Sequence, residues 1–397
     1  MDLTRLRADT PGCSHRIHLN NAGASLMPMP VLDAIRGHLA LEADIGGYEA
    51  AAEAAGSIEE AYGAVADLLA TASGNVAFTE HATAAFVQAL SSVPLHRGDV
   101  VLTTRHDYVS NQIQYLSLSE RFGVEVVRAP DAPEGGVDLQ AMEELIHRRR
   151  PRLVAVTHVP TNSGLVQDVA TIGSFCRARD VLYLVDACQS VGQMPVHPEV
   201  IGCDFLSATA RKFLRGPRGA GFLWVADRAL EQGLSPLFPD LRGADWVDGD
   251  LFQPAPDARR FETWEFAWGL VLGTGAAARY ALAVGLEAVE ERVTGLAATL
   301  RRRLAELPGV RVLDQGRSLC AIVTVSVRGH GPPDLVSALR ARNINTSAQT
   351  RLDAVIDYDA KAVDGALRVS PHYFNTEADL DALIQALDEI VIPSGGL

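Results

Sequence analysis

Only two lysines, Lys212 and Lys361, stand among the 35 Lys and Arg residues of this chain. Because nearly every other cation is an arginine, a lysine directly beside Arg211 in the stretch SATARKFLRGPRG asks for a chemical reason. A guanidinium stays protonated and is not a usable amine nucleophile. A lysine in a cleft can lose its proton, attack a carbonyl carbon and later shuttle a proton at Cα. Asp186, in LYLVDACQSVGQ, directly follows an apolar run, and ligands in open α/β sheets sit at the carboxyl ends of the strands. Alone, such an aspartate is a helix N-cap. With Lys212 just past the next apolar segment, both side chains should project from neighbouring strand ends into one cleft. One group then forms an imine with an aldehyde while the other holds a protonated pyridine nitrogen, the pairing that a pyridoxal phosphate site requires.

The stretch TEHATAAFVQAL, Thr79 to Leu90, supplies the matching anion site. It ends a short strand (NVAFT) and opens a helix at His81 to Thr83, where backbone N–H groups assisted by a hydroxyl can bind a phosphate. Thr209 and Arg211 add a second hydroxyl and a cation just before the lysine.

Positioning these groups takes a regular scaffold. Short apolar runs at Val100–Thr103, Val124–Arg128, Leu153–His158, Val181–Val185, Phe205–Ser207 and Gly221–Val225 alternate with helical patterns such as Leu139–Arg150 and Val169–Arg179. This alternation predicts an α/β fold with a mostly parallel sheet covered on both faces. Residues 227–262, richer in Gly, Pro and Asp, read as an irregular connection. Ala276–Leu307 reads as helix, followed by strand-like Cys320–Val327 and helices over Pro333–Arg340 and Glu377–Ile392 in a second α/β lobe. A chain of 397 residues suits two lobes packed around a cleft.

Composition narrows the partners. Hydrophobic residues make up 48% of the chain, which fits a buried globular core, and the formal net charge of −14 gives no footprint for nucleic acid or an anionic membrane. The basic run His147–Arg152 ends a helical pattern and reads as a solvated helix terminus. The opening MDLTRLRADTPGCSH lacks the apolar core of a signal peptide, and no segment approaches membrane-spanning length, so a soluble cytoplasmic protein is expected. Five cysteines, at 13, 176, 188, 203 and 320, form no CxxC pair and no metal-like cluster with histidine; free thiols and no metal site are expected.

LVDACQSVG followed by CDFLSATARKFLRGPRGAGFLWV resembles the class V aminotransferase group of fold-type I pyridoxal phosphate enzymes, from IHLNNAGAS at Ile17 to LRVSPHYFNTEADLDALIQAL at Leu367–Leu387. The group includes cysteine desulfurases, selenocysteine lyases and isopenicillin N epimerase-like proteins. The resemblance implies a large cofactor-binding domain over 18–262, with a seven-stranded, mostly parallel sheet. A smaller α/β domain with a connecting helix would comprise 1–17 and 263–397. It implies that Lys212 carries the cofactor, Asp186 pairs with the pyridine nitrogen and Gln189 hydrogen-bonds the phenolic oxygen, with Asn162 near that ring edge. Ala82, Thr83, Thr209 and Arg211 would hold the phosphate, Arg211 standing where most relatives carry histidine. Arg368 matches the arginine that clamps the substrate carboxylate, a task that suits a guanidinium fork. Asn21, Tyr48, Arg351 and His372 would face the substrate. A homodimer with its sites near the subunit boundary is likewise implied.

Departures from the pattern bear on the reaction. Where desulfurases and lyases often stack a histidine on the ring, RHDYVSN places Val109, with Tyr108 adjacent and Asp107 before it. The partner-subunit threonine of many relatives falls near Trp264 and Glu265. Desulfurases need a mobile thiol in the C-terminal lobe, yet Asn343–Ala354 (NINTSAQTRLDA) has none, and Cys320 lies inside an apolar run. NNAGASLMP, EADIGGYEAA and KFLRGPRG most resemble the branch of C–S lyases acting on cysteine conjugates. The expected reaction is β-elimination on an S-substituted L-cysteine or its sulfoxide, releasing thiol or sulfenate, pyruvate and ammonia, in sulfur-containing secondary metabolism. A transaminase, an epimerase using Tyr108 or His372, an oxidative decarboxylase, a desulfurase and a cofactor-binding regulator remain alternatives.

Overall fold

The computed structural model describes residues 1–391. Seven strands build the central sheet: β1 (Val76–Thr79), β2 (Val100–Thr103), β3 (Glu125–Arg128), β4 (Leu153–Thr157), β5 (Leu182–Asp186), β6 (Phe205–Thr209) and β7 (Gly221–Val225). Their spatial order is β1-β7-β6-β5-β4-β2-β3, and only β7 runs antiparallel to its neighbours. Strands β4 to β7 are buried at every position, as continuous apolar runs must be when helices cover both faces of a sheet.

The covering helices are α1 (Met29–Ile45), α2 (Ala55–Leu69), α3 (Ala82–Ser92), α4 (Val109–Phe122), α5 (Leu139–Arg149), α6 (Val169–Arg177) and α7 (Trp268–Val284). Two of them start on aspartate caps. Asp138 accepts from the Ala141 N–H and Asp168 from the Thr171 N–H, each satisfying a helix donor that would otherwise lack a partner. The largely apolar α7 packs against both α1 and α2.

The second sheet is antiparallel: β10 (Val310–Val312), β11 (Val323–Val327), β13 (Gly365–Val369) and β12 (Ser347–Thr350), in that spatial order. Helices α8 (Leu286–Glu306), α9 (Pro332–Ala341) and α11 (Glu377–Val391) share its core, and α10 (Val355–Lys361) precedes β13. Near the N-terminus Ile17–His18 pairs in parallel with Ile344–Asn345, tying the first residues to this lobe.

Two expectations are corrected. The helix predicted over Ala276–Leu307 is the two helices α7 and α8, which meet at an 80° bend at Gly285, in the left-handed region at φ 89°. Residues 227–262 are not wholly irregular. They contain a hairpin of β8 (Ala244–Asp248) and β9 (Leu251–Pro254) that exposes Trp246, Val247, Leu251 and Phe252. The last helix is described from Glu377 to Val391, and its predicted end at Ile392, with the remainder of the predicted small domain, lies outside the described residues. Among the described residues no single helix is long and apolar enough to cross a membrane.

Candidate active site

Five strand ends converge on one cavity. His81, Ala82 and Thr83 follow β1, Tyr108 follows β2, and Thr157, Val159 and Thr161 come from the end of β4 and its loop. Asp186, Cys188 and Gln189 close β5, while Thr209, Arg211 and Lys212 close β6. The order reverses between β2 and β4, and such a switch point is where open α/β sheets place ligands. A larger cavity of about 780 Å³, lined by His158, Gln167 and His197 among others, lies outside this convergence.

Two glycines let the loops close in. Gly192, of the SVG run, has φ 91°, and a Cβ there would lie 2.3 Å from the Leu214 nitrogen. The loop after Asp186 therefore presses directly on the loop that follows Lys212. A Cβ on Gly221 would sit 2.7 Å from the Ala82 nitrogen, so β7 admits the start of α3 only as glycine.

The electrostatics set this cavity apart. Lys212 is buried, and desolvation pulls its pKa below the ordinary lysine range, opposed by Cys188 and Asp186 and reinforced by Arg211 and Arg368. Its Nζ lies 5.9 Å from the centroid of the Tyr108 ring. Arg368 is 4% exposed, and burial lowers its pKa to about 10. It donates from Nη1 to the Thr161 carbonyl and hydroxyl, at 3.0 and 2.8 Å, and from Nη2 to Asn20 Oδ1 at 3.3 Å, while its Nε has no partner. Among the described residues no carboxylate ion-pairs with Lys212, Arg211 or Arg368. Buried cations without counter-charges are costly unless an anion is to be bound.

Asp186 is buried at the end of β5. Its Oδ1 accepts from the Cys188 N–H at 2.9 Å and its Oδ2 from Asn111 Nδ2 at 3.1 Å, which leaves a lone pair on each oxygen. Gln189 donates from Nε2 to Thr161 Oγ1 (2.8 Å) and the Ala22 carbonyl (3.1 Å), and its Oε1 has no partner. His81 caps α3 through Nδ1, which accepts from the Ala84 N–H, so Ala82 and Thr83 open that helix at the cavity wall. Arg211 donates to the Gly23 carbonyl, and Thr209 is buried beside it.

Tyr108, rather than Val109, lines the cavity. Five other predicted positions do not line the cavity; nor does Arg368, which meets its wall through Thr161. Asn162 turns away and donates to Asp357 Oδ2 at 2.9 Å; its neighbour Thr161 lines the cavity instead. Asn21 is spent on structure, donating to the Ser370 carbonyl at 2.8 Å and accepting from the Ser25 hydroxyl at 2.6 Å, while Asn20 meets Arg368. Tyr48 is 78% exposed, on a groove shared with Trp264 and Phe266. Arg351 is paired with Asp359 at the surface. His372 is fully buried, with Nε2 bonded to the Phe213 carbonyl at 2.7 Å and Nδ1 accepting from the Tyr373 N–H at 2.9 Å; burial lowers its pKa to about 3. It is a neutral clamp on the loop carrying Lys212.

Sequence reasoning missed Thr161, Asn20, Cys188 and Arg215. Cys188 sits between Asp186 and Gln189, and burial pushes its thiol well up. Arg215 is buried at φ 63° and donates to the Leu26 carbonyl (2.9 Å), Thr10 Oγ1 (2.6 Å) and the Tyr373 hydroxyl (2.5 Å). It ties the lysine loop to both ends of the chain. Neither residue had a signal beyond its place inside a motif.

The donor set fits pyridoxal phosphate. An amine awaits an aldehyde, a carboxylate retains lone pairs for a pyridine N–H, and the unpartnered Gln189 Oε1 lies in the same wall. The start of α3, two threonine hydroxyls and Arg211 suit a phosphate.

Comparison with known proteins agrees. The family profile Aminotransferase class-V matches residues 17–383. A probable cysteine desulfurase of Methanothermobacter thermautotrophicus is 27% identical over 396 residues, covering 97% of each chain. A probable hercynylcysteine sulfoxide lyase of Mycobacterium tuberculosis is 30% identical over 373 residues, covering 94% of this chain and 89% of the relative. The apo structure of a cysteine desulfurase from Thermococcus onnurineus NA1 superposes with a TM-score of 0.89 at 25% identity, covering 98% of both chains. The chain belongs to the class V aminotransferase family of fold-type I enzymes, and its cofactor is pyridoxal phosphate.

Proposed function

We propose that this enzyme is a C–S lyase that catalyses β-elimination on an S-substituted L-cysteine or its sulfoxide. The observation that carries the reading is the lack of a cysteine in the C-terminal segment where a sulfur-receiving thiol is expected. The segment Asn343–Ala354 contains no cysteine. Cys320 is 1% exposed, and burial raises its pKa to about 11. Cys188 lines the cavity, but its loop is tied to Asp186 and its thiol is held protonated by burial. Sulfur therefore leaves with its own substituent. The similarity to a probable hercynylcysteine sulfoxide lyase supports the same class, although most of the similar proteins are named cysteine desulfurases, which is the second reading.

Lys212 would hold the cofactor, and its amine would take the proton from the substrate's Cα. Its depressed pKa favours the neutral amine this step needs. Arg368 holds the substrate carboxylate, and Asp186 holds the pyridine nitrogen, with Gln189 at the adjacent edge. Ala82, Thr83, Thr209 and Arg211 anchor the phosphate, and Tyr108 covers the cavity beside Lys212. When bound, pyridoxal phosphate supplies an electron-withdrawing ring that stores the charge developing at Cα. The Cα–H and Cβ–S bonds break, sulfur departs with its electron pair as thiol or sulfenate, and water releases pyruvate and ammonium.

Homodimerisation belongs to the same reading. The β8–β9 hairpin exposes Trp246, Leu251 and Phe252, and Phe238 and Trp264 are also exposed; such apolar side chains suit contact with a second copy of the chain. To test the reaction, holoenzyme is incubated with S-substituted cysteines, their sulfoxides and free cysteine while pyruvate, released sulfur product, alanine and oxygen uptake are measured. Equimolar pyruvate and sulfur product is expected. Alanine with persulfide would establish the desulfurase reading instead, and oxygen uptake or keto-acid-dependent amino transfer would overturn both.

A further inference from the structure

Behind Asp186 lies a second buried carboxylate to which the reaction assigns no task. Asp107, 7% exposed, collects five donors. Its Oδ1 accepts from the Tyr108 N–H (2.8 Å), from Asn111 Nδ2 (3.1 Å) and from the Thr157 hydroxyl; its Oδ2 accepts from the Thr103 and Tyr115 hydroxyls, both at 2.8 Å. Among the described residues no cation pairs with it, and Tyr115 is itself fully buried. Burial raises the pKa of Asp107, and the hydrogen bonds from Thr157, Asn111, Tyr115 and Thr103 oppose that rise.

Asn111, on the first turn of α4 and 2% exposed, joins the two acids. Its Nδ2 lies 3.1 Å from Asp107 Oδ1 and 3.1 Å from Asp186 Oδ2. An amide nitrogen carries two hydrogens, so each carboxylate takes one and no N–H remains for anything else. With the Asp107 end fixed by four further donors, the amide cannot rotate without leaving a buried acceptor short of a partner, which costs about 1–3 kcal/mol.

We propose that Asp107 is a positioning residue of the cofactor site: acting through Asn111, it fixes the orientation of the Asp186 carboxylate and adds negative potential behind it, so that the pyridine nitrogen of the cofactor stays protonated. The inference rests on the reading that Asp186 meets that nitrogen. It accounts for a buried aspartate without a counter-cation one residue before Tyr108, and for the asparagine four residues further along. A ring held as pyridinium is the stronger electron sink, and Asp107 serves the chemistry without touching the cofactor.

The test uses holoenzyme loaded with cofactor carrying 15N in the ring, and reads the ring-nitrogen resonance by NMR together with cofactor affinity. The variants are Asp107→Asn, which is isosteric, Asn111→Leu, their combination, and Asp186→Asn. Asp107→Asn and Asn111→Leu should each move the resonance toward that of neutral pyridine and weaken cofactor binding about tenfold, the size seen when the outer partner of a ligating group is removed. The combined variant should do no more than either alone, because both cut the same link. A merely structural role would lower the melting temperature without moving the resonance of bound cofactor. If Asp186→Asn moves the resonance and the other variants do not, the role of Asp107 is refuted while that of Asp186 stands. If Asp186→Asn leaves it unmoved, the reading of Asp186 fails, and this proposal with it.

Discussion

Replacing Arg368 by methionine should separate stability from activity in opposite directions. The guanidinium is 4% exposed, and its pKa falls from 12.5 to about 10 because burial strips its hydration without supplying a carboxylate. A depressed pKa means the folded state disfavours the charged form, and at 1.36 kcal/mol per unit the burden is on the order of 3 kcal/mol at neutral pH. Methionine removes that burden while forfeiting the bonds to Thr161 and Asn20, so the substrate-free protein should keep or slightly raise its melting temperature. Catalysis should suffer. Truncating one partner of a buried, hydrogen-bonded charge pair costs about 2–5 kcal/mol, or roughly 30-fold to several thousand-fold in kcat/KM. The assay compares an S-substituted cysteine with its carboxamide, using wild type and variant. Wild type should prefer the acid strongly, and the variant should lose most of that preference by losing activity on the acid. A variant that retains the wild-type ratio would refute the idea that Arg368 holds the carboxylate.

Other outcomes follow from the same geometry. Capture of cofactor by the apoenzyme should rise with pH with a midpoint below 10.5, the ordinary lysine value, because burial populates the neutral Lys212 amine at lower pH; stopped-flow absorbance reads it, and a midpoint at or above that value counts against a desolvated amine. Acid should destabilise the fold, since burial lowers the pKa of His18 and His158 to about 4 and of His372 to about 3. Stability is then complete above pH 6.5 and falls below it as the unfolded chain takes up protons the native state refuses; three such groups give a slope approaching about 4 kcal/mol per pH unit, measurable by urea titration at several pH values. Sedimentation velocity tests the proposed homodimer: wild type should sediment as a dimer and the Trp246→Glu, Phe252→Glu double variant as a monomer, whereas a dimer unchanged by the substitutions would place the interface elsewhere and a monomeric wild type would refute it.

The sequence was most informative where backbone and side-chain requirements coincide. The buried runs ending at Asp186 and Thr209 marked strand ends, and glycine is needed at 192, in the loop after β5, and at 221, the first residue of β7. Resolution was poorer by one residue in loops, where adjacent side chains point in different directions. Asn162 was selected where Thr161 lines the cavity, and Asn21 where Asn20 meets Arg368. His372 illustrates a different limit, because a histidine in a motif gives no sign of whether backbone groups already occupy both ring nitrogens. The hairpin at Ala244–Pro254 was hidden because an exposed two-stranded ribbon lacks the polar alternation that marks a half-buried strand.

With only Lys212 and Lys361 in the chain, one labelling experiment decides whether the cofactor has the anchor assigned to it. Holoenzyme is reduced with borohydride, digested and mapped by mass spectrometry. The account predicts a pyridoxyl phosphate adduct on the peptide containing Lys212 and none on the peptide containing Lys361, whose amine is paired with Asp357 at 2.8 Å. Label on Lys361, or on neither lysine in a protein that still turns over substrate, would contradict it.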